Sequence, residues 1–264
     1  MADSSREGEI IIAENIIKVD NLRKVYRIGK EKVIALDNIN IEIKKGEICC
    51  ILGTSGSGKS TLLNMLAGLE KPTRGDIIIN NSKVNKLSEK RLAVFRQKYI
   101  GFIFQSYNLI QTLTAEENVA LPLVFRRMRK KQRTKESKEM LALVGLGDRL
   151  RHKPTQMSGG QQQRVGIARA FVARPAVVFA DEPTGNLDSR TTIEVMLLML
   201  KIARDNNQTL IIVTHDIEIA SYADRVIQLK DGAIIADYAP ERPAEKTEET
   251  ELVNDVTMKS INNQ

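Results

Sequence analysis

The spacing of apolar positions changes along this chain and divides it into regions of different predicted structure. Strict alternation of apolar and polar residues is typical of half-buried strands, whereas continuous apolar runs between helical stretches are typical of a parallel α/β core. The alternating segments are residues 16–26 and 39–43, a further strand is predicted at 75–80, and the continuous runs are 48–52, 176–180 and 210–214. We therefore predict an α/β fold whose N-terminal part is rich in antiparallel strands.

Helical periodicity follows the first continuous run and dominates the middle of the chain. After residues 48–52, three leucines at Leu62, Leu66 and Leu69 repeat at helical spacing. Residues from about 87 to 150 are mostly helical in pattern, with a short strand at 101–104.

A predicted hairpin closes the ordered part. Two short apolar segments flank Lys230-Asp231-Gly232, whose Asp-Gly pair is a strong turn signal. We find no internal repeat, and we expect flexible termini at residues 1–13 and 239–264 around one domain at 14–238.

The composition is that of an ordinary globular protein, with 42% apolar and 28% charged residues. No apolar run approaches the ~18–20 residues needed to span a membrane, and the N-terminus lacks the apolar core of a secretory signal. We therefore expect a cytoplasmic protein. The only cysteines, Cys49 and Cys50, are neighbours in a predicted buried strand and should point to opposite faces, so two buried thiols are expected. A reactive or metal-binding role is the alternative.

Charge is unevenly distributed. The formal net charge is +7, yet residues 126–138 alone hold eight basic and one acidic side chain, and residues 240–264 hold six acidic and three basic ones. A basic cluster fits a solvated helix face, an anionic membrane surface or a nucleic acid. The scarcity of aromatic residues disfavours nucleic acid, and the role of the acidic tail stays open.

A glycine-rich loop lies between a predicted buried strand and a helix, and it matches the phosphate-binding pattern G-x-x-x-x-G-K-[ST]. Glycine lets backbone N–H groups curl around phosphate oxygens without obstruction by a Cβ atom. Lys59 would supply a cation to the β- and γ-phosphates, the Ser60 hydroxyl would bind Mg²⁺, and Thr61 would lie near the α-phosphate. The predicted nucleotide-binding residues are Gly53, Thr54, Ser55, Gly56, Ser57, Gly58, Lys59, Ser60 and Thr61.

Two carboxylates end the apolar strand at 177–180. Neighbouring strand residues point in different directions, which suits two tasks. Asp181 would hold Mg²⁺ through water, and Glu182 would orient or deprotonate the attacking water. Two merely solvated acids are the alternative, which the phosphate loop disfavours.

His215 and Gln105 also follow apolar strands. His215 comes directly after the run at 210–214, where it could reach the γ-phosphate and help to fix the water, although a structural histidine is the alternative. Gln105 follows the short strand, and its neutral amide can contact the metal or the water. Residue type alone makes the Gln105 signal weak, and we expect His152 at the surface.

A second glycine pair opens another predicted helix at Ser158-Gly159-Gly160-Gln161, about a hundred residues after the phosphate loop. Helix N-termini bind anions well. The chain therefore presents two anion sites, and one ATP can hardly need both within one compact fold.

This ordered set resembles the nucleotide-binding subunit of an ATP-binding cassette (ABC) transporter over residues 16–237. Its members are the phosphate loop, Gln105, SGGQ at 158–161, Asp181-Glu182, Asn186-Leu187-Asp188 and His215. Met157 stands where the family usually has leucine, a tolerable apolar exchange. The resemblance implies an α/β P-loop NTPase core with a parallel sheet, an N-terminal antiparallel β subdomain and an inserted helical subdomain at about 87–170.

The resemblance also implies ATP and Mg²⁺ as ligands and a head-to-tail homodimer around two ATP molecules. Ser158 and Gly160, with the rest of SGGQ, would contact the γ-phosphate of ATP held by the opposite subunit. Asp188 would cross the same interface and link the two sites. Tyr26 matches the family's adenine-stacking aromatic residue, with an ordinary tyrosine as the alternative.

Residues 55–64, 101–109 and 117–123 are similar to the branch that serves macrolide efflux, lipoprotein release and antimicrobial-peptide export. This implies a transmembrane permease partner, which would place a short helix on the surface from Gln105 to about Leu123. It also implies a peripheral location at the cytoplasmic face of the membrane, with the basic stretch near anionic lipid headgroups and no nucleic-acid partner.

Two other classes of function are alternatives to a transporter subunit. An ABC ATPase of DNA repair carries a long coiled coil between the phosphate loop and SGGQ, for which this spacing leaves no room, and translation factors usually join two cassettes. A partner of a cell-division membrane complex stays open, because its ATPase half resembles the same branch.

Overall fold

The computed structural model describes residues 14–241, so the flexible terminus predicted at 1–13 and all but the first three residues of the one predicted at 239–264 lie outside the described residues. The strands are β1 (Asn15–Ile28), β2 (Glu31–Lys44), β3 (Ile48–Leu52), β4 (Arg74–Ile79), β5 (Ser82–Lys83), β6 (Ile100–Ile103), β7 (Val177–Asp181), β8 (Thr209–Thr214), β9 (Arg225–Lys230) and β10 (Ala233–Tyr238). The helices are α1 (Lys59–Leu66), α2 (Glu89–Tyr99), α3 (Ala115–Phe125), α4 (Lys130–Leu143), α5 (Gly159–Phe171), α6 (Ser189–Asp205) and α7 (Ile217–Ala220). Short 3₁₀ turns lie at Val84–Lys86 and Pro154–Gln156.

The larger sheet has the strand order β10-β9-β3-β8-β7-β6. Its pairs are parallel except the β9–β10 hairpin, whose Asp231 and Gly232 both have positive φ, as a two-residue type I′ turn requires. In register, Leu52 lies beside Thr214, Val213 beside Asp181, and Ala180 beside Ile103. The carboxyl ends of β3, β8, β7 and β6 therefore meet at one edge, where open α/β sheets hold their ligands.

The smaller sheet is antiparallel, with the order β2-β1-β4-β5, so the predicted α/β fold with an antiparallel N-terminal part is confirmed. The strand predicted at 39–43 is only the second half of β2. Its first half carries Val33 and Ile34, which are both exposed, so their positions show no burial alternation.

The two faces of the larger sheet belong to two cores. One face packs under α3 to α7, and the other packs against α1, α2 and the antiparallel sheet. Cys50 faces the first core and Cys49 the second, and both are free buried thiols, as predicted. Burial raises the pKa of the Cys50 thiol to about 12 and that of the Cys49 thiol well above its usual value, so both stay protonated and unreactive.

One helical prediction is wrong. Leu62 and Leu66 are buried on α1, but Leu69 lies beyond the helix and is 53% exposed. The reason is local: Gly68 takes φ 65° and its N–H bonds to the Met65 carbonyl, so the chain leaves the helix before the third leucine.

Helices α3 and α4 pack against each other and against α5. Leu92 and Phe95 of α2 instead join the core beside α1, and β6 is part of the larger sheet. The boundaries predicted for an inserted helical subdomain, about 87–170, therefore stay a prediction. Across residues 14–241, no helix is both long and apolar enough to cross a membrane.

Candidate functional site

The phosphate loop leads from β3 into α1 and needs glycine where the chain turns. Gly58 precedes α1 with φ 101°, and no side chain caps the first turn of the helix. A Cβ atom at Gly58 would lie 2.6 Å from the Ala35 carbonyl oxygen and 2.8 Å from Leu36 Cδ2, and one at Gly53 would meet the Leu229 carbonyl oxygen. The loop is thus a tight backbone cradle that opens at the N–H groups of a helix.

Polar groups inside this cradle suit an anion. The Lys59 side chain is largely buried, and its Nζ donates to the Thr54 carbonyl oxygen at 2.8 Å, across the loop. The Ser57 hydroxyl is buried without a hydrogen-bond partner, and Ser60 is exposed on the first turn of α1. An ammonium group, uncapped N–H groups and hydroxyls form a donor set that fits the phosphates of a nucleotide.

Asp181 is the last residue of β7 and is partly buried. Burial raises the pKa of its carboxyl, the neighbouring charge of Glu182 raises it further, and the charge of Lys59 lowers it. Asp181 therefore lies within the electrostatic reach of both the phosphate-loop lysine and the second acid. A cation bound beside it would relieve the repulsion between the two carboxylates.

Glu182 has a left-handed backbone with φ 41°, which costs a residue other than glycine about 1–2 kcal/mol. Its N–H donates to the Val213 carbonyl oxygen at 2.9 Å, and its Oε1 lies 3.1 Å from Nδ1 of His215. Strained residues of this kind cluster at functional sites. Both side chains line a pocket of about 300 Å³ beyond the edge of the sheet.

Gln105 lies two residues after the end of β6. The Asn186 amide donates to its carbonyl oxygen at 3.0 Å. A Cβ atom at Gly185 would lie 2.7 Å from Gln105 Nε2, so the glutamine side chain rests on the loop that follows Glu182. The fold thereby brings Gln105 to the same edge as the two acids.

Ser158 caps α5 in a reciprocal capping box with Gln161. Its Oγ accepts from the Gln161 N–H at 3.3 Å, and its own N–H donates to Gln161 Oε1 at 3.1 Å. A Cβ atom at Gly160 would lie 2.7 Å from Thr191 Cγ2, so α5 approaches α6 closely here. Gly159 and Gly160 leave the first turn of α5 open toward a pocket.

That pocket measures about 340 Å³ and is shared by residues 158–161 and the Asn186-Leu187-Asp188 loop. Asp188 caps α6, accepting from the Thr191 N–H at 3.0 Å and from its hydroxyl at 2.7 Å. These two bonds hold the pKa of Asp188 below its usual value, so the carboxyl is ionised at the pocket. The fold thus brings two sequence-distant motifs together.

The pocket at SGGQ is distinct from the pocket at the two strand-end residues Glu182 and His215. The pocket at Glu182 and His215 and the pocket at Ser158 share only Leu187, and neither is lined by a phosphate-loop residue. SGGQ and the phosphate loop therefore border neither of these two pockets together.

Tyr26 lies on β1, partly buried. Its hydroxyl donates to Glu70 Oε2 at 2.7 Å, and Lys24 Nζ stands 4.9 Å from its ring centroid. Burial, helped by Glu70, raises the pKa of the phenol, so it stays neutral. Its role in stacking on adenine stays a prediction.

The sequence reasoning missed two groups that tie these loops together. Gln163 is fully buried and donates to the Pro183 carbonyl oxygen, which joins α5 to the loop after Glu182. The Arg169 guanidinium donates to the carbonyl oxygens of Tyr107 and Asn108. A polar residue on the buried side of a predicted helix was the available signal for both.

Arg126, the first residue of the basic stretch, is hydrogen-bonded to backbone carbonyl oxygens. Its guanidinium donates to the carbonyl oxygens of Gln97, Lys98 and Ala173, and burial lowers its pKa. Arg126, directly after α3, therefore joins this helix to α2 and to the segment that follows α5. The contact with anionic lipid headgroups that we expect for this stretch stays a prediction for the basic residues after Arg126.

Comparison with known proteins gives consistent matches. The family model described as "ABC transporter" matches residues 36–185. The macrolide export ATP-binding/permease protein MacB of Vibrio parahaemolyticus is 48% identical over 226 residues, which cover 86% of this chain and 34% of MacB. The lipoprotein-releasing system ATP-binding protein LolD of Hydrogenovibrio crunogenus is 44% identical over 224 residues, covering 85% and 97%.

Among solved structures, the chain is similar to a dimeric ATP-binding cassette of Methanocaldococcus jannaschii in a post-hydrolysis state with ADP and phosphate bound. The TM-score is 0.79 at 44% identity, and the match covers 85% of this chain and 99% of the other.

Proposed function

This chain belongs to the ABC transporter family, and on that premise we propose that it is the ATPase subunit of an exporter. It binds and hydrolyses ATP, as the family and the ADP-bound relative indicate. In the proposal, two copies close head to tail on two ATP molecules, and this closure drives a membrane permease for efflux, export or lipoprotein release.

The lining of the pocket at the second anion site carries this proposal. The N-terminus of α5, with Ser158 and Gly160, opens to a pocket that the phosphate loop of the same subunit does not line. A second copy turned head to tail would place its bound γ-phosphate at that helix N-terminus. The relative that is dimeric with ADP and phosphate bound supports a dimer of such cassettes.

The residues at the edge of the sheet would have different roles in ATP binding and hydrolysis. Lys59 and the N–H groups of α1 would bind the β- and γ-phosphates. Glu182, oriented by its hydrogen bond to His215, would take the proton of the attacking water. Gln105 would report the state of this site to the loop that follows it.

The proposal includes Mg²⁺ as a second ligand beside ATP. Ser60 and Asp181 are the residues that would hold it, Asp181 through water and Gln105 at the periphery. When bound, the ion neutralises charge that develops on the phosphate oxygens. The raised pKa of Asp181 supports a cation site there, because a cation favours the ionised carboxyl.

The permease partner is supported by the relatives that act in macrolide export and lipoprotein release. We place its contact on the surface from Gln105 to about Leu123, with the subunit at the cytoplasmic face of the membrane. A cell-division role, the alternative at the sequence level, is not favoured by these relatives.

Basic side chains after Arg126 extend the proposal to lipid. Arg127, Arg129, Lys130 and Lys131 are exposed, and none forms an ion pair within residues 14–241. Exposed cations without a carboxylate partner suit anionic headgroups. Flotation with vesicles of phosphatidylglycerol, compared with phosphatidylcholine, should show binding that Lys130→Glu with Lys131→Glu removes; equal binding of that variant would refute the lipid contact.

Mixing two inactive variants tests the composite site. Lys59→Ala disables the phosphate loop and Ser158→Arg blocks the α5 pocket, so each homodimer should be inactive. In a mixed dimer, one site combines an intact phosphate loop with an intact Ser158, so phosphate release should reappear on mixing. If mixing restores no activity, or if Ser158→Arg alone is fully active, the head-to-tail proposal is wrong.

A further inference from the structure

The segment directly after Gln105 is held in a strained conformation. Tyr107 has φ 59° and Asn108 has φ 47°, two successive left-handed residues that are not glycine. Such backbone persists only where its surroundings determine it. Here Arg169 of α5 determines it, donating to the Tyr107 carbonyl oxygen at 2.8 Å and to the Asn108 carbonyl oxygen at 2.6 Å.

The Tyr107 side chain lies along α5 and points toward the N-terminus of that helix. Its carbonyl oxygen lies 3.8 Å from the position of a Cβ atom at Gly166, whereas its hydroxyl oxygen lies 2.8 Å from that position at Gly159. Gly166 and Gly159 are two helical turns apart on one face. The phenol therefore rests on the first residue of α5, beside Ser158.

Gln105 is fixed on its other side by the loop after Glu182, through Gly185 and the Asn186 amide. Only Ser106 separates Gln105 from Tyr107. A shift of Gln105 must therefore move either the strained segment or α5, and the two Arg169 bonds oppose movement of the segment alone.

We infer that Tyr107 is a positioning residue that ties the Ser158 turn of α5 to Gln105 of the same subunit. The state of one subunit's γ-phosphate site would thereby set the position of the helix N-terminus that completes the other subunit's site. This inference rests on the proposed head-to-tail ATPase and names the side chain that carries the coupling. Tyr107 contacts no nucleotide in this role.

A size-exchange experiment tests the contact. Gly159→Ala places a methyl group 2.8 Å from the Tyr107 hydroxyl oxygen, whereas in Tyr107→Phe the nearest remaining atom is the ring Cζ at 3.8 Å, an ordinary contact. Gly159→Ala should raise the ATP concentration needed for dimerisation roughly tenfold, because the overpacked contact displaces the Ser158 turn from its position in the closed dimer. The double variant, which adds Tyr107→Phe, should dimerise at an ATP concentration close to that of the wild type.

Dimerisation is measured by light scattering with Glu182 changed to Gln, so that closed dimers accumulate, and kcat and KM are measured with Glu182 intact. Nucleotide binding to the monomer, read with a fluorescent ATP analogue, should be the same in all variants. Gly147→Ala is the matched control, since its methyl group would be 3.7 Å from Ala142. Tyr107→Ala should raise the dimerisation midpoint, and it should also lower the melting temperature because the ring packs against the core, whereas Tyr107→Phe should leave the melting temperature nearly unchanged.

Two results would overturn the inference. If the double variant is as impaired as Gly159→Ala, the added methyl group acts on the nucleotide and not on Tyr107. If Tyr107→Ala dimerises at the wild-type ATP concentration, Tyr107 does not position the Ser158 turn. Restored activity in the mixture of Lys59→Ala and Ser158→Arg alongside either result would leave the proposed function intact, so the two failures are distinguishable.

Discussion

Glu182→Gln is the most informative single change in this site. Glutamine has nearly the same shape, keeps a hydrogen-bonding group 3.1 Å from His215 Nδ1, and asks no more of the left-handed backbone at φ 41°. What it loses is a negative charge and the ability to accept a proton. We therefore expect the variant to fold, bind ATP and dimerise as the native subunit does.

The rate of hydrolysis should fall steeply. A positioned general base contributes about 10²–10⁴-fold, which corresponds to roughly 3–5 kcal/mol of barrier. Because the charge of Glu182 raises the pKa of Asp181, its removal should lower that pKa and strengthen a cation site there. The variant should thus hold MgATP and the closed dimer longer than the native subunit.

Initial rates of phosphate release at saturating ATP, with size-exclusion chromatography in the presence of ATP, measure both effects. Glu139→Gln on α4 is the matched control, since it removes the same charge from a side chain that is 64% exposed and should leave the rate unchanged. Hydrolysis by Glu182→Gln at the native rate would show that Glu182 is not the base. Loss of ATP binding would show that it acts as a ligand instead.

Gly58→Ala should abolish ATP binding and lower the melting temperature, because its Cβ atom would lie 2.6 Å from the Ala35 carbonyl oxygen. Gly29→Ala is the matched control: Gly29 also has positive φ but open space around it, so this variant shows the backbone strain of about 1–2 kcal/mol alone. Equal effects of the two substitutions on ATP binding would refute the cradle. Asp181→Asn should raise the melting temperature at neutral pH, because a raised carboxyl pKa means that the ionised group destabilises the fold above that pKa. This gain should vanish as the pH falls toward 3.8, the usual value, and a gain independent of pH would contradict the assignment. Arg126→Lys keeps the charge but cannot reach three carbonyl oxygens, so denaturant unfolding should show a loss of roughly 1–3 kcal/mol, and an unchanged midpoint would remove its structural role.

The local sequence carried most of the information about the sheet and its edge. Continuous apolar runs predicted β3, β7 and β8 together with the residues directly after those runs, Gly53, Asp181 and His215, because both signals lie within a few adjacent residues. The length of β2 and the position of Leu69 were not predictable in this way. Exposed apolar residues in β2 break the alternation, and a glycine cap ended α1 before the third leucine.

The sequence by itself thus determined the α/β fold, the family and the candidate residues of the site, since each rests on short segments with their own periodicity or spacing. Only the tertiary structure decided which of these segments meet. It joined Gln105 to Gly185, separated the Ser158 pocket from the phosphate loop, and turned Arg126 inward. The physical reason is that such contacts join residues far apart in the chain, and their geometry is set by packing between elements, which no local pattern encodes.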